Sequence, residues 1–250
     1  MKIDLNDQVA LVTGSAHRVG KAIALELAKS GIHIMVHYHN SDEDTVRDTL
    51  HEIKSHGVDA FAVQSDIGTP QGIEAVFKKL NDDFGRLDIL VNNASSFNRN
   101  ELMDVSLEDW QQSLNVNLTA PFLCTQAAVS LMRQNDTPGG AIINICDRGS
   151  MTPWPDFFDH GISKAGLWML TKTSAISLGE ENIRVNGILP GPVLIPQGMT
   201  DERWAEIGKS SPLQRSGQAE DVARAVVYLA AEDYITGTMI EVNGGEHLRG

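Results

Sequence analysis

Three ionisable side chains that could transfer protons occur in the segment CDRGSMTPWPDFFDHGISKAG, Cys146–Gly166. His160 and Lys164 are four residues apart, so in a helix they lie on one face, one turn from each other. Asp147 lies upstream in the same segment. A carboxylate beside an imidazole favours the imidazolium and opposes the effect of a nearby lysine. An Asp147–His160 pair could therefore keep a transferable proton at the site, with both groups titrating together.

A second candidate site is the segment ALVTGSAHRVGKAIALELA, in which Gly14 follows an apolar run and Gly20 stands where a helical pattern opens. Glycine permits a tight turn and close approach of the backbone, and a helix N-terminus attracts a pyrophosphate. The middle glycine of the dinucleotide-binding fingerprint is replaced by Arg18. The pattern indicates a nucleotide-binding loop that contains Gly14, Arg18, Val19 and Gly20.

The residues after the second predicted strand bear on the choice of dinucleotide. A chain that binds NAD usually carries an acidic residue about 20 residues after the glycine loop. The segment VHYHNSDED instead presents His39, Asn40 and Ser41 before any carboxylate. Together with Arg18, these side chains suit a 2′-phosphate, and we predict NADPH as the cofactor. The alternative interpretation is a polar loop in which Ser41 caps the following helix.

Short apolar runs alternate with longer amphipathic segments along the whole chain. The predicted strands are Val9–Thr13, His33–Tyr38, Phe61–Gln64, Ile89–Asn92, Ala141–Ile145, Arg184–Ile188 and Met239–Val242. The predicted helices are Lys21–Ser30, Glu43–His56, Gln71–Phe84, Leu107–Gln134, Phe158–Leu178 and Glu220–Ala231. This alternation indicates an α/β fold: a doubly wound, Rossmann-type parallel sheet of about seven strands, with helices on both faces. Ligands are expected beyond the carboxyl ends of the strands.

Composition limits the classes of partner. The 250 residues, 42% of them hydrophobic, suit a single domain spanning 1–250. A net charge of −13 disfavours nucleic acid and anionic membranes, and no apolar run approaches the ~18 residues of a membrane span. Two cysteines, Cys124 and Cys146, make no disulfide framework, and no Cys/His group has zinc spacing. We expect a cytoplasmic protein without a metal, acting on a small molecule.

Five motifs make a more specific case, because they occur in the order found in one enzyme family. They are TGSAHRVG, SDI at 65–67, NNASS at 92–96, NVN at 115–117 and LPGPV at 189–193. The chain resembles the short-chain dehydrogenases/reductases over nearly its whole length, up to EVNGG at 241–245. It looks particularly similar to the pteridine reductase branch in four features: Arg18 in the glycine loop, HYHNS, NNASSF and Asp147. At the position of Asp147, most members of the family carry serine. Asn40 differs, because pteridine reductases tend to have a basic residue there.

The resemblance implies roles for the matched residues. The cofactor would contact Asp66, Ile67, Asn93, Ala94, Ser95, Lys164, Pro190, Gly191 and Val193. The catalytic set would be Asp147, His160, Lys164 and Asn117, with Asn117 holding a water of the proton relay. Ser95, Phe97, Asp147 and His160 would face the substrate. Family members commonly assemble through the two long helices, Leu107–Gln134 and Phe158–Leu178, so we expect a homotetramer.

The main departure from the family is His160, which stands where its members carry a catalytic tyrosine. Three explanations are open: a working acid in a modified reductase, which we favour; a cofactor-binding regulator or scaffold with little turnover; or an engineered or accidental change. If His160 is a working acid, the protein transfers hydride from NADPH to a small conjugated substrate, with a pterin as the first candidate in the light of the resemblance. The alternative reaction is carbonyl reduction of the 3-oxoacyl thioester type. Trp154, Phe157 and Phe158 are interpreted as core or lid packing, and the segment after Pro190 as a lid.

Overall fold

A computed structural model of the chain describes residues 3–196 and 198–249, with Arg249 described through its backbone alone. Within these residues, seven parallel strands form one sheet in the order β3-β2-β1-β4-β5-β6-β7. The strands are β1 Val9–Val12, β2 His33–Tyr38, β3 Ala60–Gln64, β4 Ile89–Asn92, β5 Gly140–Ile145, β6 Ile183–Pro190 and β7 Met239–Val242. The predicted doubly wound sheet is confirmed, with its switch of strand order between β1 and β4.

Helices connect the strands and cover both faces of the sheet. They are α1 Arg18–Lys29, α2 Glu43–Lys54, α3 Pro70–Phe84, α4 Leu107–Leu114, α5 Ala120–Met132, α6 Phe158–Leu178, α7 Asp201–Lys209 and α8 Ala219–Ala231. Short 3-10 turns occupy Arg148–Ser150, Gly179–Glu181 and Glu246–Arg249. No helix in the described part of the chain is long and apolar enough to cross a membrane.

The core lies on both sides of the sheet because successive strand residues point to opposite faces. In β1, Ala10 and Val12 belong to the cluster that contains Ile23 of α1, whereas Leu11 belongs to the cluster that contains Cys124 of α5. All four residues of β1 are buried, as expected for a parallel strand covered on both faces. This packing holds the carboxyl ends of β1, β4 and β5 side by side, where the candidate site lies.

One predicted helix is broken in the structure. The segment predicted as Leu107–Gln134 consists of α4, a π turn at Asn115–Thr119 and α5. Pro121 lies in the first turn of α5 and has no N–H to donate into the preceding turn. The π turn accommodates one wider turn at this point, and π turns of this kind often occur at functional sites. It carries Asn117.

Two further differences concern the starts of helices. The alternative interpretation of Ser41 as a helix cap is wrong, because Asp42 caps α2 by accepting a hydrogen bond from the Thr45 N–H at 2.8 Å. The segment after Pro190, expected to be a lid, contains α7, which Thr200 caps by accepting from the Arg203 N–H. Gln197 in that segment lies outside the described residues.

Candidate active site

The glycine loop curls tightly between β1 and α1. Gly14 has φ +64°, and a Cβ on Gly20 would lie 2.2 Å from the Gly14 carbonyl oxygen. Arg18, which replaces the middle glycine of the fingerprint, has φ +55°, a left-handed conformation that costs a side-chain-bearing residue energy. The residue before α1, His17, makes no side-chain cap. The first turn of the helix, which lines the cavity, therefore has no hydrogen bond from that side chain to its backbone N–H groups. The loop therefore fits a pyrophosphate at a helix N-terminus.

Buried side chains hold this loop in place. The Asn93 side-chain amide donates to the Thr13 carbonyl at 2.8 Å and to the Gly14 carbonyl at 3.0 Å. His37 accepts from the Gly14 N–H through Nδ1 at 3.1 Å and donates through Nε2 to the Ser65 carbonyl at 3.0 Å. Burial lowers the pKa of His37 to about 4, so the ring is neutral at neutral pH. The sequence analysis did not single out His37; its signal was a polar residue inside an otherwise apolar strand.

The other end of the nucleotide region is polar and exposed. His17 Nδ1 lies 3.1 Å from the Ser41 hydroxyl, and Arg18, His39 and Asn40 are exposed around the same part of the cavity. The first carboxylate after β2, Asp42, is engaged by the Thr45 N–H and hydroxyl, and these bonds lower its pKa. The first acid after β2 is thus engaged as a helix cap, while Arg18, His39 and Asn40 are exposed.

Asp147, at the end of β5, meets His160 of α6. His160 Nε2 forms a hydrogen bond with Asp147 Oδ2, and Nδ1 lies 2.9 Å from the Ser96 carbonyl oxygen. A carbonyl can only accept, so Nδ1 carries a proton. Both ring nitrogens then face acceptors, an arrangement that suits an imidazolium beside a carboxylate. We call Asp147 and His160 the proton-transfer pair.

The electrostatics of the pair depend on Lys164 as well. Burial raises the pKa of Asp147, but the His160 hydrogen bond and the positive charges of Lys164 and His160 outweigh it and hold that pKa below its usual range. Lys164 is buried and donates to the Ile145 carbonyl at 2.8 Å. Asp147 Oδ1 is buried without a partner of good hydrogen-bond geometry, although the Gly149 amide lies close enough to lower the Asp147 pKa slightly. A buried carboxylate oxygen without a hydrogen-bond partner can accept a hydrogen bond from a bound ligand.

Asn117 lies behind the pair. It is fully buried and accepts through Oδ1 from the Ser96 N–H at 2.8 Å and the Ser95 hydroxyl at 3.0 Å. Its Nδ2 donates to the Ser96 carbonyl at 2.9 Å and lies 3.3 Å from His160 Nδ1. Asn117 therefore fixes the loop whose carbonyl orients the His160 ring. The water expected at Asn117 stays a prediction.

Aromatic side chains form one side of the cavity above His160. The rings of Phe97 and Phe157 are stacked with centroids 4.5 Å apart, Trp154 lies 5.4 Å from Phe157, and Phe97 meets the His160 ring edge-on at 4.6 Å. Phe97 is 55% exposed. We call Phe97, Trp154 and Phe157 the aromatic wall. Trp154 and Phe157 pack on each other and also line the cavity, whereas Phe158 packs near Trp110.

A single cavity of about 1320 Å³ joins these features. The predicted residues that line it are Gly14, Arg18, Val19, Gly20, His39, Asn40, Ser41, Asp66, Ile67, Asn93, Ala94, Ser95, Phe97, Asp147, His160, Lys164, Pro190, Gly191 and Val193. Asn117 does not line it. The lining residues that the sequence analysis did not assign include His17, His37, Arg148, Trp204 and Glu246. Within the described residues, no group of three His, Cys, Asp or Glu side chains could hold a metal ion.

The sheet, the glycine loop at the switch point and the cavity define a Rossmann-type dinucleotide-binding protein. The cavity, at about 1320 Å³, is large enough for a dinucleotide and a small substrate, since pockets for single ligands occupy about 300–1,000 Å³. The proton-transfer pair at one end of the cavity adds the acid–base group that an oxidoreductase needs.

Comparisons with known proteins narrow this class. Residues 14–247 match the family model described as enoyl-(acyl carrier protein) reductase. Glucose 1-dehydrogenase 2 of Bacillus subtilis is 36% identical over 249 residues, covering 97% of this chain and 95% of that protein. The 3-oxoacyl-[acyl-carrier-protein] reductase of Synechocystis is 39% identical over 246 residues, covering 96% and 97%. The solved structure of the angucycline C-6 ketoreductase LanV with bound NADP has a TM-score of 0.89 and 30% identity, covering 98% of this chain and 97% of that chain.

The chain belongs to the short-chain dehydrogenase/reductase family. Its relatives are oxidoreductases, and the family uses nicotinamide cofactors.

Proposed function

We propose that this protein is an NADPH-dependent reductase that transfers hydride to a small, planar, conjugated substrate, with a pterin as the first candidate. The observation that carries the proposal is the proton-transfer pair at the foot of the aromatic wall. A flat ring system can stack on exposed aromatic faces such as that of Phe97. A substrate bound there would have its acceptor atom near Asp147 and His160.

The residues of the chain would supply protons and orientation. When bound, the nicotinamide supplies the hydride. The pair holds one proton between His160 Nε2 and Asp147 Oδ2, and it can pass that proton to a substrate nitrogen or oxygen. The Ser96 carbonyl keeps the ring oriented by accepting from Nδ1, and Asn117 holds Ser96. Lys164 would contact the nicotinamide ribose, and its charge keeps Asp147 ionised until a proton arrives.

NADPH is proposed because of the polar groups at the exposed end of the cavity. Arg18, His17, His39, Asn40 and Ser41 supply donors there, and Asp42 is occupied by Thr45. A 2′-phosphate is recognised by such donors, whereas a free ribose hydroxyl pair needs an acid. A related ketoreductase contains bound NADP.

The second candidate function is carbonyl reduction of the 3-oxoacyl thioester type, favoured by the relative from Synechocystis with that activity in its name. The oxygen of a ketone needs a stronger acid than a basic ring nitrogen does, so the pair suits the pterin better.

We further propose a cytoplasmic homotetramer. Both cysteines are unpaired and buried, and burial raises the pKa of each thiol to about 12, as suits a reducing compartment.

Oxidation of NADPH in the presence of dihydropterin or an acetoacetyl thioester separates the candidate reactions. We expect turnover with dihydropterin and little with the thioester. His160→Ala should abolish the activity, and His160→Tyr should raise ketone reduction, because the phenol is the longer group and the acid used elsewhere in the family. A His160→Ala variant as active as the parent would make His160 a bystander. Tight NADPH binding without turnover of any pterin, ketone or quinone would instead favour a regulator.

A further inference from the structure

A second charged pair lies in the cavity, on the residue next to the proton-transfer pair. Arg148 follows Asp147 directly, and its Nη1 lies 3.0 Å from Oε1 of Glu246 in the C-terminal 3-10 turn. Both residues line the cavity. Their side chains are 28% and 16% exposed, so the pair is partly screened from solvent but within reach of a ligand.

The pair lies at the end of the cavity away from the glycine loop. Arg148 follows β5 and Glu246 follows β7, and a Cβ on Gly191, just after β6, would lie 3.2 Å from Glu246 Oε2. The adjacent strand ends β5, β6 and β7 therefore bring the pair together. The glycine loop lies at β1, on the other side of β4, whereas Gly191 belongs to the segment that the family resemblance assigns to the cofactor, and a hydride acceptor must bind next to the nicotinamide.

The geometry of the pair differs from that of other ion pairs in the chain. Arg133 binds Glu181 through Nε and Nη2, at 2.5 and 2.6 Å. Arg86 binds Asp88 through the same two atoms, at 3.0 and 2.8 Å. Arg148 contacts its carboxylate through Nη1, at 3.0 Å. A guanidinium has five N–H donors in a planar fork, so Arg148 retains the capacity to bind a carboxylate with two parallel bonds.

We propose that Arg148 recognises a carboxylate group on the substrate, and that Glu246 occupies this position as an internal carboxylate until the substrate displaces it. The inference rests on the proposed function and deepens it: the substrate is a planar, conjugated molecule that carries a carboxylate. The net charge of −13 repels such a molecule from most of the surface, and a local cation compensates for that repulsion at the site.

Benzoate and benzamide test this directly, because the two planar probes have nearly the same shape and differ in charge. We expect the NADP⁺-saturated protein to bind benzoate more tightly than benzamide in calorimetric titrations. Arg148→Gln should weaken benzoate binding about tenfold and leave benzamide binding within about twofold, as expected for the loss of a charge-assisted hydrogen bond. Glu246→Gln should act in the opposite direction and strengthen benzoate binding severalfold, because the competing carboxylate is gone.

Arg133→Gln and Glu181→Gln are the matched controls, since they neutralise the same residue types in a surface pair outside the cavity. Neither should change the affinity of either probe. A parent protein that binds both probes equally, or neither, overturns the proposal. So does an Arg148→Gln variant that weakens both probes alike, or a Glu246→Gln variant that weakens benzoate, because the pair would then be structural.

A turnover assay with 4-formylbenzoate and 4-formylbenzamide separates this proposal from the proposed function. In the parent, KM should be lower for 4-formylbenzoate than for 4-formylbenzamide. Arg148→Gln should raise KM for 4-formylbenzoate about tenfold relative to KM for 4-formylbenzamide. If neither aldehyde nor dihydropterin is reduced, the proposed function fails, while the titrations still decide whether Arg148 binds a carboxylate. If the protein reduces dihydropterin but binds benzoate and benzamide equally, the proposed function stands and the carboxylate site is wrong.

Discussion

At the scale of single residues, the proposed chemistry depends on the pairing of Asp147 with His160. A neutral imidazole is a weak acid, and the positive charge of Lys164 opposes its protonation. The carboxylate of Asp147 acts in the opposite sense, and its lowered pKa means that it is ionised at neutral pH. The two groups are hydrogen-bonded to each other. On the proposed function, this pairing is the condition under which histidine stands in for the family's usual tyrosine.

Asp147→Asn tests that dependence. In the parent, we expect kcat/KM to rise from basic toward mildly acidic pH, because the pair must hold its proton. The amide cannot stabilise an imidazolium, so kcat/KM should fall about 100-fold and the rise should disappear, within the ~10²–10⁴-fold range for general acid catalysis. The measurement is the pH profile between about pH 5 and 8.5, well above the range in which Asp147 itself becomes protonated.

Asp156→Asn provides the control for this experiment. Asp156 belongs to the same loop as the aromatic wall and pairs with Arg99 at 2.6 Å, away from His160. It should keep the parent's pH profile. A parent-like profile in Asp147→Asn would mean that the proton comes from another group.

At the scale of elements, the ends of β1, β2 and β3 are joined by one buried side chain. His37 in β2 accepts from Gly14 after β1 and donates to Ser65 after β3. Only a neutral ring can do both, and burial keeps the ring neutral by lowering its pKa to about 4. The conformation of the glycine loop therefore depends on the protonation state of a residue in the neighbouring strand.

This bridge predicts a loss of stability in acid. An unfolded histidine titrates near 6.5, and His37 in the folded protein near 4, so between these values the unfolded state binds more protons. The free energy of unfolding should therefore fall as pH is lowered from about 6.5 to about 4, by about 3 kcal/mol from this residue. His37→Gln keeps a donor and an acceptor but does not titrate, and should have a shallower pH dependence.

Denaturant unfolding at pH 4.5 and pH 7 measures the effect. His51→Gln, at an exposed position on α2, serves as the control and should keep the parent's dependence. The same slope in His37→Gln as in the parent would contradict the bridge. The affinity for NADPH should fall over the same pH range as the free energy of unfolding, because Gly14 belongs to the nucleotide loop.

At the scale of the whole molecule, apolar side chains remain exposed on the helices that the family resemblance assigns to assembly. Ile162, Met169 and Ile176 recur every seven residues along α6 and so lie on one face, and Phe122 is exposed on α5. Met169 is 54% exposed and Ile176 85%. A row of exposed apolar side chains of this kind suits a subunit interface.

Met169→Glu combined with Phe122→Glu should reduce the proposed homotetramer to smaller species, because each glutamate would be buried without a partner in the interface. Sedimentation velocity at micromolar concentration measures the change. Met103→Glu replaces an exposed apolar residue outside the helices and should leave the assembly intact. A monomeric parent, or dissociation by Met103→Glu as well, would contradict an interface on these helices.

Periodicity in the sequence was enough to predict the sheet. All seven strands and seven of the eight helices lie at or near their predicted places; α4 and α5 occupy the one helix predicted at Leu107–Gln134, whose break was missed, and α7 was not predicted. These features follow from local propensity and from the alternation of apolar residues, which act over a few neighbouring residues. For the same reason, the sequence determined the glycine loop and the placement of His160 one turn before Lys164.

Tertiary structure alone decided the contacts between residues distant in sequence. It placed His37 between two loops and Arg148 against Glu246, 98 residues away. It also produced the left-handed Arg18 and the wider turn at Asn117. No spacing rule predicts these features, because each depends on how separate elements pack and on which buried polar groups must then be satisfied.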